Sequence, residues 1–173
     1  FSLNITFGIQ LDSLSSLMIF VVTSISLVVQ IYSVGYMNGD NGYARYFMFM
    51  SLFTTAMLGL VMASSLLQLF VHWELVGLTS YLLVGFWFER PAAAAAAKKA
   101  FIVTRFGDFF FMIGLIIVWV ETGIFDIVSI NHLAEIGSLS GSILAVVALG
   151  LFAGAVGKSA QFPLHFWLPD AME

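Results

Sequence analysis

The sequence predicts an all-α fold: a polytopic transmembrane helical bundle of about five spanning helices, with a discontinuous helix near Pro163. Three observations carry the bundle. Hydrophobic residues make up 61% of the 173 and charged residues only 9%, where soluble domains carry about 25% charged. The mean hydropathy is +1.03. The apolar residues gather into runs as long as the ~20 residues that cross a bilayer core, and the stretches between are dense in turn formers. Residues 1–173 read as one membrane domain, a piece of a longer subunit, because the chain opens on Phe1 without a charged leader and stops at Glu173 just after a polar break.

Taken in order, Phe1 to Gln10 alternates loosely and suits an extended or interfacial lead-in. Asp12 suits the N-cap of the first span, 14–36. MNGDNGYAR, residues 37–45, forms the first loop. The second span covers 46–63, and only Ser64 and Ser65 separate it from the third, 66–87, so these two helices pack antiparallel as neighbours. Pro91 suits the first turn of the fourth span, 91–120, where its missing N–H costs nothing. Six alanines and then Lys98 and Lys99 follow it, a strong helix former whose first turns stand out into water. Residues 125–137 repeat apolar side chains at helical spacing and suit a short amphipathic helix at the interface. The fifth span covers 141–168. Gly150 and Gly154 make a GxxxG in it, which lets a neighbouring backbone approach. Pro163 removes one donor and obstructs the carbonyl of Ser159, so a kink or break is expected just after Lys158.

Six basic residues set the orientation. Arg45, Arg90, Lys98 and Lys99 all fall on the side of the first and third loops, which the positive-inside rule places in the cytoplasm or its organellar equivalent. Arg105 and Lys158 are left within spans, opposite Glu74 and Asp108.

Glu74 lies near the middle of an otherwise apolar run, where an acid costs about 2.5–3.5 kcal/mol. Such a group implies a function and a partner. Lys158 is the expected partner: deep in the membrane it can be charged and paired or neutral and unpaired at modest cost, as a proton carrier requires. The competing reading is a permanent Glu74–Lys158 salt bridge, which desolvation makes a weak stabiliser. Arg105 and Asp108 stand three apart on one helix face. They read either as a local ion pair holding two helices in register or as part of a proton entry path that tunes Glu74. His165 follows the break and is a candidate for the same hydrated path, whereas His72 and Trp73 read as packing. Trp87, Trp119 and Trp167 near span ends read as interface anchors. The chain has no cysteine, no metal-ligand spacing, no phosphate-cradling glycine loop and no basic patch on a soluble face. Thiolate chemistry, a metal or nucleotide cofactor and nucleic acid as partner are therefore not indicated.

GYARYFMFMSLFTTAMLGLV, HWELVGLTSYLLVGFW, KKAFIVTRFGDFFFMIGL and GKSAQFPLHFWLPDAME together resemble the large antiporter-like membrane subunits of NADH–quinone oxidoreductase, respiratory complex I, of the type called L in bacteria and chain 5 in mitochondria. Large subunits of Mrp antiporters, membrane hydrogenase subunits and inorganic-carbon uptake subunits share the same motifs. The resemblance implies a proton-translocating membrane subunit of an enzyme whose NADH, FMN, iron–sulfur clusters and quinone sit in partner subunits, with none in this chain. It implies that Glu74 in WELVG is the family's key glutamate, that Lys158 in GKSAQ is the pumping lysine on a discontinuous helix, and that Arg105 and Asp108 in TRFGD are the motif pair between them. It further implies neighbouring antiporter-like subunits as partners, in a bacterial plasma membrane or alternatively a thylakoid or mitochondrial inner membrane. The resemblance also implies an inverted-repeat antiporter-like fold, whose second repeat and long lateral helix would lie beyond Glu173, and His72 stands where the family more often has an aromatic residue.

Overall fold

The computed structural model describes residues 6–172. Five long helices and one short one make up the described chain: α1 (Ser13–Tyr36), α2 (Tyr43–Val61), α3 (Leu66–Val84), α4 (Pro91–Thr122), α5 (Ile127–Glu135) and α6 (Gly141–Lys158). A 3₁₀ turn, Pro169–Met172, follows. All but α5 are long and apolar enough to cross a membrane. Backbone pairing outside helices is limited, among the described residues, to two isolated bridges, Ile9 with Ala63 and Ser65 with Asp126.

Local chemistry sets the helix ends. Asp12 and Ser15 form a reciprocal capping box, each side chain accepting from the other's backbone N–H at 2.7 Å. Ser65, Asp126 and Ser140 cap α3, α5 and α6 through side-chain oxygens. Pro91 opens α4, and Gly123, at φ 72°, closes it in the left-handed conformation that glycine adopts without penalty.

α4 is the axis of the bundle. It alone buries twelve residues, among them Ala93, Ala96, Ala97 and Ala100 from the alanine run. It packs on α3 along one side and on α6 along another, while α2 packs on α3 and α1 on α2. The α4–α6 contact is a glycine interface. A Cβ on Gly107 would lie 2.6 Å from the Ala153 carbonyl oxygen, and one on Gly150 would lie 2.7 Å from that of Phe110. Backbones this close gain van der Waals contact that no larger residue allows. α1 sits at the rim, its outer flank of Leu17, Phe20, Leu27, Ile31 and Tyr32 exposed.

The loops at each end are tied to one another. At one end, Arg45 donates to the Phe86 carbonyl at 3.2 Å and Trp87 Nε1 donates to Asp40 at 3.1 Å, joining the α1–α2 and α3–α4 loops. At the other, Gln10 N donates to the Met62 carbonyl, while Leu66 N donates to that of Phe125 and Ile127 N to that of Ser64. The extended lead-in thereby joins the α2–α3 and α4–α5 connections.

Several boundaries differ from those the sequence suggests. α2 begins at Tyr43, inside the expected loop, and ends at Val61; α3 ends at Val84 because Gly85 turns the chain; α4 runs on to Thr122. The largest difference is at α6. The expected span of 141–168 is helical only to Lys158. Ala160 takes φ 51°, and Gln161 N donates back to the Val156 carbonyl at 3.0 Å. That is a Schellman closure, built on alanine where glycine is usual. Pro163 prevents the helix from restarting at once, so a kink becomes a full stop and residues 159–168 are turns.

Candidate functional site

α3, α4 and α6 meet at one polar level. α3 supplies Trp73, Glu74 and Gly77; α4 supplies Arg105 and Asp108 one turn apart; α6 supplies Lys158 from its last turn. An ammonium at a helix C-terminus faces unsatisfied carbonyls and the negative end of the dipole, an interaction of about 0.3–1 kcal/mol, more when partly buried. The stop at Lys158 thus creates a favourable place for a cation between two other helices.

The four charges form two pairs. Arg105 Nη1 contacts the Glu74 carboxylate directly. Arg105 Nη2 also reaches the Glu74 backbone carbonyl at 3.5 Å, and its guanidinium lies 4.5 Å from the centre of the Phe101 ring. Lys158 Nζ stands 3.8 Å from Asp108 Oδ2, beyond hydrogen-bond length, and donates instead to the Trp73 carbonyl at 2.7 Å. Asp108 Oδ1 accepts from Trp73 Nε1 at 2.6 Å. Asp108 Oδ2 is buried without a hydrogen-bond partner. Trp73 therefore holds both members of the second pair, the acid through its indole and the amine through its backbone.

Burial separates the pairs. The side chains of Asp108 and Lys158 are 3% and 14% exposed, those of Glu74 and Arg105 25% and 30%. The inner pair is the costlier to disrupt, because removing one member strands the other's charge away from water, a loss of about 3–5 kcal/mol. Gly77 makes room for it: a Cβ there would lie 2.5 Å from Lys158 Nζ. Rings of Phe70, Trp73 and Phe111 meet edge-on beside the site, with centroids 5.3–5.4 Å apart.

The structure brings Glu74, Lys158, Arg105 and Asp108 together as the sequence suggests, but pairs them otherwise. Among the described residues Glu74 and Lys158 make no direct ion pair, and neither do Arg105 and Asp108. The reason is helical geometry: one turn displaces Arg105 from Asp108 along α4, so each meets a different neighbour, Arg105 the carboxylate on α3 and Asp108 the amine on α6. His165 is not brought in. It lies exposed in the turn after α6, its ring stacked on Phe162 at 5.8 Å. His72 contacts the Gln68 carbonyl at 2.8 Å and packs on Gly59, a packing role as expected. Trp73, read from sequence as packing, is a site residue, and the available signal was an indole beside a mid-span glutamate. Nor does the sequence point to the Lys99–Asp170 ion pair, 2.6 Å long, which fastens the chain beyond the break to α4.

Comparison with known proteins gives the chain a family. Residues 63–173 match the family described as NADH:quinone oxidoreductase/Mrp antiporter, TM, and residues 1–47 match that of the complex I chain 5 N-terminus. The chain is 49% identical over 176 aligned residues to a protein of Synechocystis sp. named NAD(P)H-quinone oxidoreductase chain 5, covering 99% of this chain and 26% of that one. It is 47% identical to the chloroplastic subunit 5 of Helianthus annuus, covering 98% and 23%. The chain thus spans about a quarter of the length of these curated relatives. Among solved structures, the Mrp complex of a Dietzia species superposes with a TM-score of 0.87 at 34% identity, over 95% of this chain and 18% of that one. With a match that covers Asp108, Lys158 and every other charged residue of the site, this chain belongs to the NADH:quinone oxidoreductase/Mrp antiporter transmembrane family.

Proposed function

We propose that this chain is part of a proton-translocating membrane subunit of an NAD(P)H:quinone oxidoreductase, in whose interior Lys158 and Asp108 exchange protons while Glu74 and Arg105 bias that exchange. The observation that carries this reading is the buried Lys158 at a helix end, held 3.8 Å from Asp108 rather than locked to it. An amine that is paired loosely can gain and lose its proton as its surroundings change. Glu74 and Arg105, the more exposed pair, bias that exchange from one turn away. When Arg105 is drawn fully onto Glu74 its repulsion of the Lys158 proton falls; when Glu74 is neutralised, Arg105 is released and the Lys158 proton is pushed onward.

In this reading electron transfer takes place in partner subunits, which hold the NADH, FMN, iron–sulfur clusters and quinone, and neighbouring antiporter-like subunits abut this one. The similarity to cyanobacterial and chloroplastic proteins supports a thylakoid or a bacterial plasma membrane. Lys158→Ala in the full-length subunit is expected to lower proton pumping at least tenfold while leaving the assembled complex intact, and Lys158→Glu to be more harmful still. Proton uptake into vesicles checks both, and unchanged pumping by an assembled Lys158→Ala complex refutes the reading.

The likeness to the Mrp complex supports a second reading, a cation/proton antiporter subunit; an inorganic-carbon uptake subunit shares the same motifs. Sodium separates the first two: pumping that needs NAD(P)H and ignores sodium favours the oxidoreductase, and proton flux that needs a sodium gradient favours the antiporter.

A further inference from the structure

We propose that the chain carries a binding site for one anionic phospholipid, in a groove where α2, α3 and α4 meet at the end of the bundle that bears the cations. The groove is about 350 Å³ and opens between Arg45 and Phe49 of α2, Tyr81 and Leu82 of α3, and Ala97 and Lys98 of α4. This volume is at the small end of ligand pockets, about 300–1,000 Å³, and suits a length of acyl chain rather than a folded cofactor.

The alanine run produces it. Ala93, Ala96, Ala97 and Ala100 are buried, so α4 lies close to α3, and a Cβ on Gly85 would lie 3.0 Å from that of Ala97. Ala94 stands at the groove with only a methyl group, where a longer side chain would fill it. Helices this close near their ends, with nothing bulky on Ala94, leave a slot leading from the interface down toward Phe49 and Leu82.

Charge identifies the occupant. Two cations line the groove and, among the described residues, no carboxylate does. Arg45 is held at the mouth by its bond to the Phe86 carbonyl and by the Phe86 and Phe88 rings, 4.8 and 5.1 Å from its guanidinium. Asp40 accepts from Gly42 N and Trp87 Nε1 and lines, with Glu89, an adjoining recess on the other side of Arg45, Phe86 and Phe88, which line both. Lys98 is exposed and has no ion pair among the described residues, whereas its neighbour Lys99 is taken by Asp170. Two basic side chains above an apolar slot at the membrane surface match a phosphate headgroup above an acyl chain, and a soluble anion would have no use for the slot.

The test uses the full-length subunit in its complex, freed of lipid and then given phosphatidylglycerol or phosphatidylcholine, with bound lipid counted by native mass spectrometry. One phosphatidylglycerol is expected to be retained at least tenfold more tightly than phosphatidylcholine. Arg45→Gln with Lys98→Gln removes that preference, and Ala94→Leu, which keeps both charges, lowers retention of either lipid. Should a variant fail to assemble, p-benzoylphenylalanine placed at Phe49 in the native background decides: cross-linking to lipid supports the site. Cross-linking to another helix, or equal retention of the two lipids, overturns it.

Discussion

Gly77 is a glycine for the sake of a charge on another helix. α3 has no turn there, and its backbone would accept alanine. The constraint is Lys158 Nζ, which occupies the space a methyl group would take. Because that ammonium ends a flexible side chain, Gly77→Ala is expected to leave the bundle folded and to push Nζ off the Trp73 carbonyl. Proton pumping should fall roughly as far as it does for Lys158→Ala, while assembly, followed by native gel, stays normal. A Trp73→Phe change probes the other half of the clamp: it keeps an aromatic ring but loses the indole N–H, so the Asp108 carboxylate gives up its 2.6 Å bond. A hydrogen bond to a charged group contributes about 1.5–3 kcal/mol. The pH dependence of pumping should shift in Trp73→Phe, a readout that loss of packing alone would leave in place; an unshifted profile removes Trp73 from the site.

At the scale of elements, α5 shows how a local cap answers to pH. Asp126 accepts from Ser129 N at 2.8 Å and Ser129 Oγ at 2.7 Å. These bonds to Ser129 hold its carboxyl below the ordinary carboxylate range. A group depressed in the folded state stabilises it above the unfolded value, about 3.9, and that contribution is lost as pH falls through the lower folded value. The protection of α5 amides, taken relative to their intrinsic exchange rates at each pH, is thus expected to fall once pH drops below about 4, by roughly fivefold for a cap worth ~1 kcal/mol. Asp126→Asn, which can cap without titrating, should abolish that pH step; a step that persists in Asp126→Asn assigns it elsewhere. Elements were also the best-signposted level in the sequence. Apolar runs of membrane length located the five long helices, and Asp12, Pro91 and Pro163 marked starts and a stop because their chemistry is local. The pairing at the site was not legible in the same way. Which carboxylate meets which cation depends on how α3 and α6 are rotated about α4, and glycine contacts between backbones fix that rotation. The sequence lists these glycines without saying what faces them.

At the scale of the whole molecule, charge is sorted between the two ends. Arg45, Arg90, Lys98 and Lys99 lie toward one end, beside Asp40, Glu89 and Asp170, while among the described residues the Lys, Arg, Asp and Glu side chains toward the other, Asp12, Glu121, Asp126 and Glu135, are all acids. Hydrogen bonds between loops join each end to itself, so the α1–α2 loop must share a side with the α3–α4 loop, and the α2–α3 connection with the segment around α5. Basic residues in short loops fix orientation while acids contribute little, which puts the Arg45 end inside. The chain has no cysteine to interfere with labelling. In a full-length subunit otherwise free of cysteine, Asn41→Cys and Ser138→Cys, both exposed, place single thiols at opposite ends. A membrane-impermeant maleimide added to sealed right-side-out vesicles should label Ser138→Cys alone, and Asn41→Cys should react only after the vesicles are opened. The polarity matters to the proposed proton path, because Lys158 is reached on α6 from the Ser138 end while the turns after it lead back toward Lys99 and the basic end. Labelling of both thiols from one side would mean that α2, α3 and α4 do not all cross, and the charges on α3 and α4 could then not line a path between two aqueous compartments.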